Sequence, residues 1–555
     1  MMKNKVVPYA LLALSHAAFA QQLPSAGSQM QQIRPVPVPQ VATPGVELKP
    51  GSAPVSAEVD NATVMVNSLR VIGAQAYSEA ELLTVTGFQP GRELTLADLR
   101  AMAFKIADYY RRNGYFLAQA YLPAQDIKDG AVTIAVIDGN YGKVVLNNQA
   151  NVSSDLANNL LGGLNSGDPV TVAPLESRLL LLSDLPGVTV KSALVPGASV
   201  GTSDLIVDLT PGQRISGSID ADNAGNRYTG SNRIGATVNF NEPTGHGDVI
   251  TLRALTSGAG MNYVRGQYQT QFGKLRTGVA YSALRYTLGQ EFQDLQANGT
   301  AQVVSLYGSY PLIRSRSSNL YAGLAFDAKK FQDKVDSTAT VSDKRVRTVT
   351  ASLNGDQRDS FGGGGMSAYS LGWTAGNVDL QTPAVRLVDA ATAQTDGQFT
   401  KLGFSAARVQ NVTESISVSA AISGQLASKN LDVSEKMELG GMYAVRAYPE
   451  GEAYADQGYV LSLEARVQLP KLSERLPGQL QLIGFVDTGS VTINKNPWTS
   501  GPNTRTLSGA GVGLNWSDAN NFMVRAYYAF KLGSEAATSA PDASGRFWIQ
   551  AVKYF

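Results

Sequence analysis

The sequence predicts a chain of α+β repeats followed by an all-β, 16-stranded transmembrane barrel. From about residue 213 to residue 555, apolar and polar residues alternate with a period of two and helical periodicity is absent. Before that region, residues 63–211 contain one pattern twice. No run of about 18 apolar residues follows the first 20 residues, so a membrane would be crossed by strands.

The amino terminus has the features of a secretory signal peptide over residues 1–20. Lys3 and Lys5 precede an apolar run, and Ala18-Phe19-Ala20 provides a cleavage site. The mature chain then has His246 as its one histidine, and it has no cysteine. These counts exclude disulfides, cysteine–histidine pairs and sites with several histidine ligands. We therefore expect no enzyme, no metal site and no cofactor, and the balanced charge gives no reason to expect nucleic acid as a partner.

Residues 21–62 are rich in proline and glutamine. Proline fixes φ and lacks a backbone donor, so this composition favours an extended linker. A short helix around Gln29–Ile33, acting as a plug, is the alternative that the segment leaves open.

Two modules of similar design are predicted, at residues 63–139 and 140–211. Gly91-Arg92-Glu93-Leu94-Thr95 precedes one helix and Gly167-Asp168-Pro169-Val170-Thr171 precedes another, and the threonine of each suits a helix N-cap. Each helix ends near a glycine and is followed by two β-runs, while one strand precedes each helical region. The predicted order in both modules is β-α-α-β-β.

Residues 212–555 are predicted to form the barrel. In segments such as 415–423, 459–469 and 522–531, apolar residues alternate with polar ones over ten or so residues. Strands of this length present one face to lipid and the other to a polar lumen, whereas strands of a soluble β-sandwich are usually shorter. The region contains about 16 such segments.

The connections between these segments alternate in length. A short turn such as 411–413 follows an even-numbered segment, and long connections at 332–344, 378–396 and 425–456 follow odd-numbered ones. In outer-membrane barrels the short turns are periplasmic and the long loops are extracellular. The first strand then begins on the periplasmic side. This predicts residues 21–211 in the periplasm and the barrel in the outer membrane of a Gram-negative bacterium.

Four motifs lie in the predicted barrel. Two are turns, Asn241-Glu242-Pro243-Thr244-Gly245-His246-Gly247-Asp248 and Pro311-Leu312-Ile313-Arg314-Ser315-Arg316. The others are Val445-Arg446-Ala447-Tyr448 and Gly484-Phe485-Val486-Asp487-Thr488-Gly489. Together they resemble the two-partner-secretion outer-membrane transporters (TpsB; ShlB/FhaC/HecB-like haemolysin secretion/activation proteins) of the Omp85 superfamily. Ala447 stands where that family has glycine. The resemblance identifies the two modules as POTRA domains.

The resemblance also implies that the loop 425–456 folds back into the lumen, where Arg446 contacts Asp487. The residues expected to support this contact are Val445, Tyr448, Phe485 and Gly489. The strand pattern agrees, because Leu482 and Val486 fall on the lipid phase and Asp487 therefore turns inward. The two side chains would then form a charge-assisted pair. On the residues alone, a solvated surface arginine and a carboxylate lining a wet pore are the alternative.

For function, the resemblance implies a translocase of type Vb secretion that exports an unfolded protein through its barrel without ATP. Its POTRA modules would capture the client by pairing with an exposed strand edge. The implied client is a large secreted β-helical exoprotein (TpsA-type) with an N-terminal secretion domain, such as an adhesin, haemolysin or contact-dependent toxin. Outer-membrane lipid and, during biogenesis, the barrel-assembly machinery are the other implied partners.

Other functions fit the sequence less well. An Omp85-type assembly or insertion factor typically carries more POTRA modules than the two for which this chain has room. A passive porin needs neither the modules nor the arginine–aspartate pair. An outer-membrane enzyme would need a nucleophile with a base, and the predicted lumen shows none.

Overall fold

The computed structural model describes residues 23–37, 46–48, 63–471 and 473–555. Within them, two α/β units precede one closed antiparallel barrel, as the sequence predicts. None of the helices in these ranges is long and apolar enough to cross a membrane. The predicted signal peptide, residues 1–20, lies outside the described residues.

Two elements lie in the proline- and glutamine-rich segment. Helix α1 (Ala26–Gln31) begins after Ser25, whose side chain accepts a bond from the backbone N–H of Ser28, while the Ser28 side-chain oxygen accepts one from the backbone N–H of Ser25. The helix thus begins at Ala26 and not at Gln29. Strand β1 (Val46–Leu48) was not expected, and it pairs with the second α/β unit.

The first α/β unit packs two helices against a small sheet. Its elements are β2 (Thr63–Val66), β3 (Ser68–Ile72), α2 (Glu79–Thr86), β4 (Arg92–Thr95), α3 (Leu96–Arg112), β5 (Gln119–Tyr121) and β6 (Ala131–Ile137). The sheet has the order β3-β6-β5, and β2 pairs with β4. Thr95 caps α3, accepting a bond of 3.1 Å from the Asp98 N–H. The one strand expected before the helices of this unit is two strands, β2 and β3, because Asn67 turns its N–H to the carbonyl of Gly130 (2.8 Å).

The second α/β unit has the predicted order. Its elements are β7 (Asn140–Asn148), α4 (Ser154–Leu161), α5 (Val172–Ser183), β8 (Val188–Pro196) and β9 (Thr202–Pro211). Leu175, Leu179 and Leu182 of α5 are buried in its core, which accounts for the apolar face in the sequence. The sheet order is β1-β8-β9-β7, so β1 of the N-terminal segment covers the outer edge of β8. The pairing is parallel and places Glu47 opposite Ala193.

Sixteen strands close the barrel, with β10 paired to β27. The strands before the longest loop are β10 (Ile215–Asp222), β11 (Arg233–Asn241), β12 (Val249–Thr256), β13 (Met261–Phe272), β14 (Leu275–Thr287), β15 (Ala297–Arg314), β16 (Ser318–Val335), β17 (Thr340–Asp359), β18 (Gly365–Leu380), β19 (Gly397–Asn411) and β20 (Ile416–Ala427). Helix α6 (Pro383–Ala391) joins β18 to β19.

The loop after β20 contains the two-residue strands β21 (Met437–Glu438) and β22 (Tyr454–Ala455), which pair with each other. The barrel then continues with β23 (Gln457–Gln468), β24 (Gln479–Thr492), β25 (Thr504–Asp518), β26 (Phe522–Lys531) and β27 (Gly545–Tyr554).

The barrel wall is taller on one side. Strands β15 and β16 have 18 residues each and β17 has 20, whereas β10 has 8 and β26 and β27 have 10. The long connection expected at 332–344 is therefore wrong in extent, since only 336–339 lie between β16 and β17. The strand continues above the membrane, where both faces are polar and the sequence looks like a loop. The connection expected at 378–396 contains α6, and its first residues belong to β18.

The second α/β unit is fixed to the periplasmic turns of the barrel. Arg314 of the turn motif binds Asp184, the residue that caps the C-terminus of α5, through two contacts of 2.6 and 2.8 Å. Arg276 donates to the carbonyl of Asp184 (3.2 Å). Asn151 donates to the carbonyl of Glu242 in the other turn motif (2.8 Å). Both turn motifs thus help to hold this unit at the barrel entrance.

Candidate functional site in the barrel lumen

The loop between β20 and β23, residues 428–456, folds into the barrel. The range expected for it began at residue 425, but the first three of those residues belong to β20. Val445, Ala447 and Tyr448 are fully buried within it, and they pack with Phe485 and Ile483 of the wall in one apolar cluster. The loop tip is therefore a packed part of the lumen.

Arg446 and Asp487 meet at this tip. The Arg446 Nε donates to Asp487 Oδ2 and its Nη2 donates to Oδ1, each at 2.8 Å. The backbone N–H of Arg446 donates to the same carboxylate (3.2 Å). The side chain of Asp487 is 0% exposed and that of Arg446 is 6% exposed. A bidentate pair so far removed from water fixes both position and orientation of the loop tip.

Two further wall residues, on β23, complete the polar contacts of Arg446. Its Nη1 donates to Glu464 Oε1 (2.8 Å), and its Nη2 donates to Ser462 Oγ (3.0 Å). The Ser462 hydroxyl in turn donates to Asp487 Oδ1 (2.7 Å). Arg466 binds the other oxygen of Glu464 (2.6 Å). Glu464 belongs to none of the four sequence motifs. Its inward phase on the strand next to Asp487 was the signal that could have placed it here.

Aromatic rings enclose the guanidinium. Its central carbon lies 3.5 Å from the ring centre of Phe485 and 5.0 Å from that of Tyr527. Trp548 Nε1 donates to the backbone carbonyl of Arg446 (2.7 Å). The motif phenylalanine thus acts as a stacking surface, and Tyr527 and Trp548 are contacts that the sequence motifs did not reveal.

The remaining motif residues shape the loop. The backbone N–H of Val445 bonds to Leu439 across the loop (3.0 Å), and the Tyr448 hydroxyl donates to the carbonyl of Glu535 (3.1 Å). At Gly489, an added Cβ would lie 2.7 Å from the backbone carbonyl oxygen of Tyr459 and 2.5 Å from Leu439 Cδ1 of the loop, and because the backbone cannot move aside, the position requires glycine.

Alanine is accommodated at the position where the family has glycine. Ala447 does not belong to the residues with positive φ, so its backbone is unstrained. Its Cβ lies against Gly509 of β25, at a point that a side chain on residue 509 would occupy. The space for Ala447 therefore comes from the absence of a Cβ on the facing strand.

A second ionic group holds the other half of the loop. Glu435 binds Lys329 (2.6 Å) and Lys401 (3.0 Å), and Asp432 binds Lys344 (2.9 Å). All three lysines project into the lumen from β16, β17 and β19. The sequence did not reveal this group, because a lysine at a lumen-facing position of a strand does not indicate which carboxylate it binds.

A third contact joins the loop to the last extracellular loop. Glu452 is fully buried and binds Arg505 (2.5 Å). The same carboxylate accepts bonds from the backbone N–H groups of Thr538 (2.9 Å) and Ser539 (2.8 Å). The loop is thus anchored along its whole length.

Helix α1 lies in the lumen beside this loop. The N–H of Ala26 donates to Asp333 on β16 (2.7 Å), and Thr229 donates to Gln29 Oε1 (2.7 Å). Gln32 donates to the hydroxyl of Tyr454 in the loop (2.7 Å). The helix and the loop both lie in the channel that a barrel of this size would otherwise leave open, and a cavity of about 480 Å³ remains beside Tyr443 and Arg446.

The polar contacts of this site join the loop and helix α1 to the barrel wall. The three guanidinium nitrogens of Arg446 all bond to the barrel wall. The described residues contain no cluster of three or more His, Cys, Asp or Glu side chains able to hold a metal ion. The fold and the site thus define a POTRA-bearing outer-membrane barrel with an occluded lumen.

Comparison with known proteins agrees with this class. A family model described as "Haemolysin secretion/activation protein ShlB/FhaC/HecB" matches residues 201–516, which is more than half of the chain. One described as "POTRA domain, ShlB-type" matches residues 64–139. The chain therefore belongs to the ShlB/FhaC/HecB family of haemolysin secretion/activation proteins.

Individual relatives cover most of the chain. The "Heme/hemopexin transporter protein HuxB" of Haemophilus influenzae (strain 86-028NP) is 29% identical over 84% of this chain and 82% of its own length. The "Outer membrane transporter CdiB" of Dickeya dadantii is 21% identical over 76% of this chain and 74% of its own. The solved structure "CdiB from Escherichia coli" has the same fold, with a TM-score of 0.69, 20% identity and coverage of 91% and 93%.

These findings confirm the predicted class. The chain is an outer-membrane transporter of the two-partner-secretion type, which secretes a partner protein and is not an enzyme. Its barrel lies in the outer membrane, with the POTRA region on the periplasmic side.

Proposed function

We propose that this transporter exports its client through the barrel lumen, and that α1 and the loop 428–456 form its gate. The observation that carries the proposal is the buried contact of Arg446 with Asp487, Ser462 and Glu464, which holds the loop inside the channel. The contact acts as a clasp, because it keeps the loop tip in a fixed position on the barrel wall during secretion. Exit of α1, which has fewer anchors, opens the channel.

The periplasmic capture site is the edge of a POTRA sheet. The outer edge of β8 is covered by β1, and β1 belongs to the same N-terminal segment as α1. A client strand that pairs with β8 would displace β1. Because only 14 residues separate Gln31 from Val46 along the chain, release of β1 frees the segment that restrains α1. Client capture and opening of the gate would then be coupled.

The client that fits this gate is unfolded during passage. We propose a large secreted β-helical exoprotein with an N-terminal secretion domain, whose folding at the cell surface gives the transport its direction without ATP. Outer-membrane lipid surrounds the barrel, and the barrel-assembly machinery inserts it. The greater identity to the heme/hemopexin transporters than to the CdiB proteins favours a client connected with heme or hemopexin over a contact-dependent toxin.

The absence of cysteine makes the gate directly testable. Gln29→Cys with Thr229→Cys places thiols on α1 and on the wall that it contacts. A short bifunctional thiol crosslinker, or oxidation, should hold α1 in the lumen. We expect client secretion into the medium to stop after crosslinking and to remain normal in both single variants.

A second pair tests the capture step. Glu47→Cys with Ala193→Cys joins residues that lie opposite each other in the β1–β8 pairing. Oxidation should stop secretion, and a reductant should restore it. Normal secretion through a barrel whose α1 is crosslinked to the wall would disprove the gate. Normal secretion with β1 locked would disprove capture at β8 and leave the gate intact.

A further inference from the structure

The outer wall of the barrel carries a group of cations at its extracellular boundary. Lys330 on β16 and Arg345 and Arg347 on β17 are exposed on the exterior, and we call them the exterior basic patch. The neighbouring residues Lys329 and Lys344 face the lumen, where they bind the loop. Strand alternation therefore places the three patch residues on the lipid side of the wall.

The strand register places the patch at a boundary of polarity. Lys330 lies opposite Arg345, and the next exterior pair, two residues nearer the periplasm, is Ala328 with Arg347. Below these, Phe326 lies opposite Val349. The exterior of the wall thus changes from apolar to cationic within two residues along β16. This change marks the level at which lipid acyl chains give way to headgroups.

Two carboxylates lie near the patch, but neither pairs with it. Asp343 is on the same exterior face, two residues from Arg345, and accepts a bond from Gln332 (2.9 Å). None of its three residues has an ion-pair partner among the described residues. Asp379 on β18 lies opposite Arg345, but it binds Arg386 instead (3.3 Å). Like charges directly opposite each other destabilise a sheet. Binding of an anion from outside the chain would therefore relieve the repulsion between Lys330 and Arg345.

A groove adjoins the patch on the same wall. Its volume is about 490 Å³, and Arg347 and Asn377 line its extracellular part. Phe326 and Val349 line the part nearer the membrane centre. The groove therefore offers a cationic end to a polar group and an apolar end to a hydrocarbon chain.

The exterior cations lie on the tall side of the wall, where Arg285 on β14 is a further exposed one. Near the extracellular ends of β24, β25, β26 and β27, the exterior positions carry Ser490, Thr506, Phe530 and Phe547. A general belt of interfacial cations would also occupy that side. The confinement to the tall side of the barrel indicates a specific contact.

We propose that the exterior basic patch binds the phosphate groups of the glycolipid in the outer leaflet. That leaflet consists of phosphorylated glycolipid, so charge and position both match. Guanidinium groups bind phosphate with two parallel hydrogen bonds, and the ammonium of Lys330 adds a third donor group. The acyl chains of the same molecule would lie along the apolar wall at Phe326 and Val349.

The test compares the intact protein with Lys330→Gln/Arg345→Gln/Arg347→Gln. The probes are bisphosphorylated lipid A and the same lipid after dephosphorylation, titrated against purified full-length transporter in a neutral detergent. We expect the wild type to bind the phosphorylated lipid at least about tenfold more tightly than the triple variant does, since each basic group near a lipid surface contributes measurably. We expect weak, equal binding of the dephosphorylated lipid.

A matched control removes three exposed cations at the other end of the barrel. Arg214→Gln/Lys471→Gln/Arg475→Gln changes the net charge equally but alters periplasmic positions, and it should bind lipid A like the wild type.

Heat-modifiable migration shows that each variant is folded, and the single change Arg347→Gln gives a graded loss if the triple variant does not fold. Equal affinity of the wild type and the folded patch variants, or no preference for phosphorylated lipid, overturns the proposal. Reduced secretion with unchanged lipid binding does so as well, since it indicates an acidic protein as the ligand.

Discussion

The clasp gives the most specific prediction, because the loss of Arg446 and the loss of Asp487 leave different contacts behind. In Arg446→Ala, Asp487 loses its cation and remains fully buried with only the Ser462 hydroxyl as a side-chain donor, whereas Glu464 keeps Arg466 (2.6 Å). In Asp487→Ala, Arg446 retains Glu464 at 2.8 Å. We therefore expect Arg446→Ala to be the more damaging change.

The magnitude follows from the burial. Removing one partner of a buried ion pair costs about 3–5 kcal/mol, and the remaining hydroxyl contact argues for the lower end. A loss of about 3 kcal/mol raises the population of the released loop about a hundredfold. For Asp487→Ala we expect about 1.5 kcal/mol, or a factor of about ten. The double variant should cost less than the sum, because both changes remove one shared interaction.

The assay uses a thiol as a reporter of loop release. Val445→Cys is close in size to the original residue and fully buried beside the clasp. Its labelling by a membrane-impermeant maleimide should accelerate by the factors given above, while client secretion falls and the amount of barrel in the outer membrane stays constant. Arg525→Ala is the control, since this lumenal arginine contacts Met523 (3.1 Å) and not Asp487. Unchanged labelling and secretion in Arg446→Ala would refute the clasp.

Three further outcomes are expected. Deletion of residues 63–211 should leave a heat-modifiable barrel that reaches the membrane but exports nothing, and secretion by the truncated protein would contradict the capture role. Deletion of 428–456 should raise single-channel conductance, whereas an unchanged value would show that the loop does not occlude the lumen. In the periplasmic turn, burial and then repulsion by Asp248 raise the pKa of Glu242 to about 7. Because the folded-state pKa lies above the unfolded one, thermal stability should fall between about pH 4.5 and pH 7, and Glu242→Gln should flatten this trend.

Sequence periodicity was sufficient for the framework. A period of two over ten residues specifies a strand with one lipid face, since successive side chains alternate between the faces of a sheet. The helix cap at Thr95 and the apolar face of α5 are likewise local patterns, and the structure contains both. The barrel with 16 strands follows from such local signals, because each strand pairs with its neighbour along the chain.

The lengths of the strands were not predictable from sequence periodicity. Above the membrane both faces of β16 and β17 meet polar surroundings, so the alternation on which the prediction rests disappears. Strand β1 is a similar case, because three residues carry no periodic signal and their pairing with β8 depends on an edge supplied by residues 188–196.

The sequence by itself determined the two modules, the membrane barrel and the motifs that contain Arg446 and Asp487, since each of these features depends on residues that are close together along the chain. Only the tertiary structure decided what surrounds the pair. Ser462, Glu464 and Trp548 come from strands that are separated from the loop tip by 16 to 102 residues. It also decided that α1 lies in the lumen and that the patch on β16 and β17 faces lipid. Closure of a barrel brings distant residues together through backbone register, and register is a property of paired strands that no single segment contains.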